Sequence, residues 1–305
     1  MSKIAIVGFG YIGSVMGGVL AEEGHHVVGI DQNAGLIDSL QQGHCPIPEP
    51  HLQELISAQA AAGRLSFSTS IAEIETANVI LVTVGTPMFT ETNRADLSHI
   101  RAACESMAPW VRDGQLVILK STVPPGVTRT VAGSALLPYA KIHLAFSPER
   151  LAEGQAIRDL RTLPIVVGGI DAASTKAAAE FWRSSLGVEI MEVSSPEAAE
   201  LVKLANNLWI DLNIAVAHDL AKLCDALPYP IDVLEVIGGA NTLKKGQHYT
   251  NILTPSNGVG GYCLTKDPWF VWSIAKGHGV DLLTPQTSRA INDSMPAYVA
   301  DRVLA

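Results

Sequence analysis

The sequence predicts an α/β chain: a doubly wound, mostly parallel sheet over residues 1–195, then one long central helix and a mainly helical second domain over residues 196–305. Three observations predict it. Short β-branched runs alternate with longer helical patterns from the amino terminus to about Met191. At Ser194-Ser195-Pro196 the pattern changes to an unusually long helical repeat, and beyond it strand-like runs give way to helical ones. The 305 residues are enough for two domains that each bury a core.

The expected strands are Ile4–Val7, Val27–Ile30, Val79–Val82, Leu116–Leu119, Ile142–Phe146, Ile165–Val167 and Val188–Met191, with Leu65–Phe67 weaker. They are nearly all apolar, as strands with helices on both faces must be. The long helix starts with a serine cap and a proline in its first turn, and it ends before Pro228. Leu201, Leu204, Leu208, Leu212, Ala215, Ala217, Leu220 and Leu223 recur along it at helical spacing, an apolar stripe suited to a dimer surface. A glycine- and proline-bearing loop is expected over Gly238–Gly261, with Lys244 and Lys245 on a solvated turn.

Composition narrows the function classes. Hydrophobic residues make up 48% and charged residues 17%, which fits a globular enzyme rather than a disordered chain. The net charge of -9, with no compensating basic patch, disfavours nucleic acid and anionic lipid. No apolar run is long enough to span a membrane, and MSKIAIVGFG does not read as a secretory leader, so a cytoplasmic protein is expected. The four cysteines, Cys45, Cys104, Cys224 and Cys263, are far apart, which suggests neither a disulfide framework nor a zinc site; no metal is expected.

The first strand runs directly into Gly8, Gly10 and Gly13, spaced GxGxxG, and a helix follows at once. The first glycine permits the tight turn, the second admits a pyrophosphate close to the backbone, and the third lets helix and strand pack closely. The helix amino terminus adds unpaired N–H groups and the positive end of its dipole. The second strand ends in Asp31, placed to accept hydrogen bonds from an adenosine ribose and to repel an extra 2′-phosphate. The expected cofactor is therefore NAD on a Rossmann-type domain. The competing reading of Asp31 is a simple cap for the next helix.

Several residues carry chemistry-bearing patterns. GVGGYCLTKDP puts Cys263 in a glycine loop, open to a substrate and near the Lys266 ammonium, which favours a thiolate. The other three cysteines read as small buried hydrophobes. Lys203 and Asn207 are one helical turn apart and share a face, where they could hold one substrate oxygen. SPERLAEG (Glu149, Arg150, Glu153), VGTP (Gly85, Thr86) and KSTVPPG (Thr122) each follow a strand end, where ligands of such sheets collect; each could equally be a capped turn.

Taken in order, GFGYIG with Asp31, PIPEP at 46–50, VGTP, STVPPG, SPERLAEG, AELVKLANN and GVGGYCLTKDP resemble the UDP-glucose/GDP-mannose dehydrogenase family. The likeness spans nearly the whole chain. It implies oxidation of a nucleotide-sugar alcohol to the uronic acid with two NAD, without release of the aldehyde. Lys203, Asn207, Asp267 and an ordered water are implied to organise the substrate oxygen and accept its proton, with Thr122 also implied among the catalytic residues. Cys263 is implied as the carrier of a thiohemiacetal and then a thioester, and Glu149 as the base for hydrolysis. It further implies Gly8, Gly10, Tyr11, Ile12, Gly13, Asp31, Gly85, Thr86, Thr122, Glu153 and Lys266 at NAD. At the sugar nucleotide it implies Glu149, Arg150, Leu151, Lys203, Asn207, Tyr249, Asn251 and Gly260. SPER and DPWF look like the N-acetylhexosamine branch, LAEG and GGYCLTKD like the UDP-glucose branch. Family members carry a third, nucleotide-gripping domain, so weak turnover is expected from these 305 residues alone.

Two rival readings stand beside it. A β-hydroxyacid dehydrogenase shares the glycine turn and the lysine–asparagine helix, but it needs no covalent sulfur and forms a single NADH per substrate. A non-catalytic NAD-binding dimerisation module would leave Cys263 without enhanced reactivity.

Overall fold

The computed structural model describes residues 1–246 and 248–304. Packing divides the chain into two units: Met1–Pro87 with Asp96–Lys203, and Met88–Ala95 with the chain from Leu204 onward. The division falls inside the long helix, eight residues beyond the change of sequence pattern at 195/196, and an excursion at 88–95 goes with the second unit.

In the first unit, eight strands of the described residues form one sheet: β1 (Lys3–Val7), β2 (His26–Ile30), β3 (Leu65–Ser68), β4 (Val79–Val82), β5 (Leu116–Leu119), β6 (His143–Phe146), β7 (Ile165–Gly169) and β8 (Ile190–Glu192). Their order is 3-2-1-4-5-6-7-8, with the chain switching direction across the sheet between β1 and β4. Alternate residues serve opposite faces. Ile4, Ile6, Val79, Leu81, Leu116 and Ile118 enter one core, whereas Ala5, Val7, Ile80, Val82, Val117 and Leu119 enter the other. Two buried faces explain the unbroken apolar runs.

Pairing is parallel from β3 through β6 and between β7 and β8, but β6 and β7 are antiparallel, with Ala145 opposite Gly169 and Phe146 opposite Gly168. The last strand covers Ile190–Glu192, so the expected start at Val188 moves in by two residues. Helices of this unit are α1 (Tyr11–Glu22), α2 (Ala34–Gln41), α3 (Leu52–Ala61), α4 (Ser98–Met107), α5 (Ser134–Leu136), α6 (Ala156–Thr162) and α7 (Ala172–Leu186). A π-helical stretch, Thr128–Gly133, leads into α5.

Helix α8 runs from Pro196 to Ala226, and Ser195 Oγ accepts from Ala198 N at its start. The second unit adds α9 (Val233–Ala240), α10 (Asp267–Gly277) and α11 (Leu283–Leu304). Two expectations are corrected here. Gly238 and Gly239 lie within α9, whose start is capped by Asp232 accepting from Leu234 N at 2.8 Å. Lys244 and Lys245 form a short antiparallel pair with His248–Tyr249 rather than a bare turn, and the Lys244 ammonium sits 5.6 Å from the Tyr249 ring centroid. Among the described residues no helix is long and apolar enough to cross a membrane.

Candidate functional site

Strands β1, β2, β4, β5 and β6 run the same way, so the segments that leave their carboxyl ends share one edge of the sheet. Those segments are the glycine turn, Asp31, VGTP, KSTVPPG and SPERLAEG. At Gly8 φ is +93° and a Cβ would lie 2.8 Å from Val84 N; at Gly13 it would lie 2.3 Å from Gly8 O. Both positions therefore exclude a side chain. Gly10 faces open space, and no side chain caps the start of α1, where Tyr11 and Ile12 follow half-buried.

Asp31 shapes this turn directly. Its Oδ2 accepts from Phe9 N and its Oδ1 from Asn33 N, at 2.8 and 2.9 Å. Asn33, not Asp31, caps α2. Each Asp31 oxygen keeps a further lone pair for a ligand hydroxyl. Thr86 supplies an independent sign of a ligand: its Oγ1 is buried without a hydrogen-bond partner among the described residues, beside exposed Gly85. The uncapped helix start, the open Gly10 and the orphaned Thr86 hydroxyl fit a bound NAD.

Three buried charges organise the loops at this edge. Glu49 accepts from the Tyr11 hydroxyl, from Gly154 N at 2.7 Å and from Ala156 N at 2.8 Å. Burial opposes its ionisation, but these donors outweigh it and hold the carboxyl below its usual range; the same burial and the carboxylate push the Tyr11 phenol up. Glu200 of α8 accepts from Gly126 N (2.5 Å), Thr128 N (2.7 Å) and Thr128 Oγ1 (2.6 Å), which pins the segment after half-buried Thr122. Lys120 is buried, its Nζ 3.1 Å from Ser147 O and 4.8 Å from the Trp182 ring centroid; desolvation lowers its pKa to about 7, partly offset by Glu149.

Glu149 and Lys203 meet here at 3.8 Å, both largely shielded from solvent. Glu149 also accepts from Leu151 N, and Arg150 donates to Pro164 O, so the SPER segment is held by one local turn bond and by one tie to the residue before β7. Glu153 is exposed. More open hollows, of about 300 Å³ beside Lys3 and Arg64 and about 420 Å³ beside Arg129 and Asp171, contain none of the expected residues.

In the second unit Cys263 is exposed, whereas Cys45 and Cys104 are buried. Burial raises Cys104 to about 12, well away from a reactive thiolate. Cys224 is half-buried, short of the full burial expected of it, because the outer side of α8 is itself open at Leu223. The Cys263 carbonyl accepts from Lys266 N and Asp267 N at 3.1 and 2.9 Å, closing the turn into α10. Asp267 is fully buried: Oδ2 accepts from Asn207 Nδ2 at 2.6 Å and Oδ1 from Lys266 Nζ at 2.6 Å. Lys203 and Asn207 thus join two different clusters, although they are one turn apart on α8.

The loop before Cys263 is fixed by side chains that sequence reasoning missed. Asn241 bonds both backbone groups of Ile252, and Asn213 bonds Asn251 O and Leu253 N. His218 Nδ1 faces Asn292 Oδ1 at 2.9 Å. Because Asn292 Nδ2 donates to Asp211, His218 carries its proton on Nδ1 and accepts from Ser256 N through Nε2. Asp211 also holds Arg289 Nη1 at 2.6 Å and Ser288 Oγ at 2.6 Å, and Arg289 reaches Leu264 O at 3.3 Å. Of the expected substrate contacts in this stretch, Tyr249, Asn251 and Gly260 are exposed. The missed signal was a polar stripe on α8: Glu200, Lys203, Asn207, Asp211 and His218 recur at helical spacing, all buried.

Known proteins align along the same residues. The description "UDP-glucose/GDP-mannose dehydrogenase family, NAD binding domain" matches residues 2–186, and the family's central domain matches residues 197–294. A UDP-N-acetyl-D-mannosamine dehydrogenase of Methanococcus maripaludis is 34% identical over 308 residues, which covers all of this chain and 68% of that protein. The structure of a UDP-D-ManNAc dehydrogenase from Pyrococcus horikoshii superposes with a TM-score of 0.90 at 31% identity, over 99% of this chain and 71% of that one. A UDP-glucose dehydrogenase from Pyrobaculum islandicum gives 0.91 at 29%, over 99% and 70%. The chain belongs to the UDP-glucose/GDP-mannose dehydrogenase family, an NAD-dependent oxidoreductase family, and carries both its NAD-binding and its central domain.

Proposed function

We propose that the protein oxidises the C6 alcohol of a UDP-N-acetylhexosamine to the uronic acid in two steps, with UDP-N-acetyl-D-mannosamine the first substrate to test, and with Cys263 carrying the intermediate. The observation that carries this reading is the exposed Cys263 turn, whose carbonyl anchors a fully buried Asp267 held between Asn207 and Lys266. The names of two of the relatives above favour the N-acetylhexosamine over glucose.

NAD would be held by the turn from Gly8 to Gly13, Asp31 and Thr86, and when bound it accepts the hydride of each oxidation. In the proposed scheme, Lys203, Asn207 and Asp267 organise the substrate oxygen through an ordered water, and that water, backed by the Asp267 carboxylate, takes up its proton. The Cys263 thiolate adds to the aldehyde carbon, and loss of hydride from the resulting thiohemiacetal leaves a thioester. Glu149, set by Lys203 and Leu151 N, deprotonates the water that hydrolyses it and frees the thiol. We further assign the exposed residues of α8, Leu201, Trp209, Val216 and Leu223, to a homodimer contact.

The test is a panel of nucleotide sugars with NAD, scored by NADH per sugar. Two NADH per sugar in wild type, falling to at most one in Cys263→Ala with no uronic acid formed, is the expected outcome. A single NADH per substrate, unaffected by Cys263→Ala, overturns the covalent scheme in favour of simple hydroxyacid-type oxidation.

A further inference from the structure

Glu49 is 7% exposed, and its carboxylate holds two segments that the fold brings to the cofactor edge of the sheet. Oε2 accepts from the Tyr11 hydroxyl and from Gly154 N at 2.7 Å, and Oε1 accepts from Ala156 N at 2.8 Å. Tyr11 opens α1, where the first N–H groups have no acceptor within the helix and face the expected pyrophosphate. Gly154 and Ala156 follow Glu153 directly, at the end of SPERLAEG, the loop that also carries Glu149. Ala156 begins α6, which has no side-chain cap of its own, so Glu49 caps it from 107 residues away in sequence. The carboxylate is itself firmly seated. Its backbone joins the turn into α3, with Glu49 O accepting from Leu52 N at 3.2 Å, and α3 lies so close on α1 that a Cβ at Gly18 would stand 2.9 Å from Leu55.

We propose that Glu49 is a positioning residue for the cofactor, acting through Tyr11 and Gly154: one buried carboxylate keeps the glycine turn and SPERLAEG in fixed relation, so that NAD binding and the order of that loop are coupled. The inference deepens the cofactor placement proposed above and does not depend on the oxidation scheme. A carboxylate that accepts from both segments at once lets neither move without the other. The first turn of α1 is restricted when the cofactor is bound, and the Tyr11 hydroxyl passes that restriction to Glu49 and on to the Gly154 and Ala156 amides. Linkage makes the effect reciprocal: NAD binds more tightly to the ordered loop by the same factor by which bound NAD favours that order. Tyr11→Phe cuts the connection at a single point, since it removes one hydroxyl and leaves the bonds to Gly154 N and Ala156 N in place.

The experiment uses the whole chain with Tyr11→Phe, Glu49→Gln and the double variant, at a temperature where circular dichroism shows each of them folded. NAD and ADP-ribose affinities are read by titration calorimetry, and amide exchange over residues 152–158 is read by mass spectrometry with and without saturating NAD. Tyr11→Phe is expected to weaken NAD and ADP-ribose alike by about fivefold, and Glu49→Gln by about tenfold. The double variant stays within about twofold of Glu49→Gln, because both changes break the same connection. In wild type, NAD slows exchange over residues 152–158 by about tenfold; in Tyr11→Phe the slowing shrinks to about twofold, although the cofactor site is again saturated. A Tyr11→Phe protein that binds NAD and ADP-ribose like wild type and keeps the full slowing makes Glu49 a cap of α6 alone and overturns the inference. So does a Glu49→Gln protein in which only the unfolding temperature falls. Should Glu49→Gln not fold, Tyr11→Phe decides by itself. If wild type binds NAD but oxidises no nucleotide sugar, the oxidation scheme fails on its own, and affinity and exchange still decide the role of Glu49.

Discussion

Glu49 shows how one buried side chain can join motifs that are far apart in sequence. PIPEP reads as a family signature without a task, but its carboxylate ties the hydroxyl of Tyr11 in the cofactor turn to the backbone just behind SPERLAE. In Glu49→Gln an amide NH2 faces N–H donors, and the expected loss is about 1–3 kcal/mol in urea unfolding at neutral pH. The folded carboxyl lies below its ordinary value of 4.5, so its contribution is complete above that value and fades as acid protonates it. The gap between variant and wild type should therefore narrow as the pH is lowered below 4.5; a gap that stays unchanged down to acid unfolding rules out a charge effect. Lys120 behaves oppositely. Its pKa of about 7 lies under the ordinary 10.5, so unfolding takes up a proton between these values and wild-type stability rises with pH across that window. Lys120→Met should remove that slope, seen as urea midpoints that stop rising between about pH 7 and about pH 9.5. Neither role was legible beforehand, because burial of a single charged residue depends on neighbours that only the fold supplies.

Helix α8 was half legible as an element. Its length and start follow from Ser195-Pro196 and the leucine spacing, yet several residues of that apolar pattern, such as Leu201 and Leu223, prove to be exposed while the polar stripe is buried. Lys203 and Asn207 were recognised as a pair, but Asp211 and His218 continue the same stripe and were passed over, since a polar residue on a helix is ordinarily solvated. Asp211 and Arg289 are both within 1% of full burial, and the pair braces α8 against α11 and holds the Leu264 carbonyl beside Cys263. Arg289→Met should cost about 3–5 kcal/mol, because it leaves the Asp211 carboxylate buried and uncompensated. The double variant Arg289→Met/Asp211→Asn should lose less than the two single losses combined. Additive losses in chemical denaturation would show that the two side chains act separately.

For the molecule as a whole, the parallel sheet was readable because strands covered on both faces must be apolar throughout, and the glycine turn could be placed because β1 runs into it without a break. Strand direction was not readable at β7, since Ile165-Val166-Val167 packs equally well either way. The short antiparallel pairs of Met88–Phe89 with Arg94–Ala95 and of Lys244–Lys245 with His248–Tyr249 escaped notice because strands of two residues carry no periodicity. Assembly belongs to this scale too. With Trp209 49% and Val216 43% exposed on one helix, the double variant Trp209→Glu/Val216→Glu is expected to elute at monomer mass in light-scattering chromatography, with unchanged circular dichroism; a retained dimer removes α8 from the contact. The two outermost strands of the sheet, β3 and β8, have four and three residues and carry Ser66, Ser68 and Glu192. Borders so brief and polar give a neighbouring chain little backbone to zip onto, which makes concentrated solutions resistant to fibril growth by strand addition.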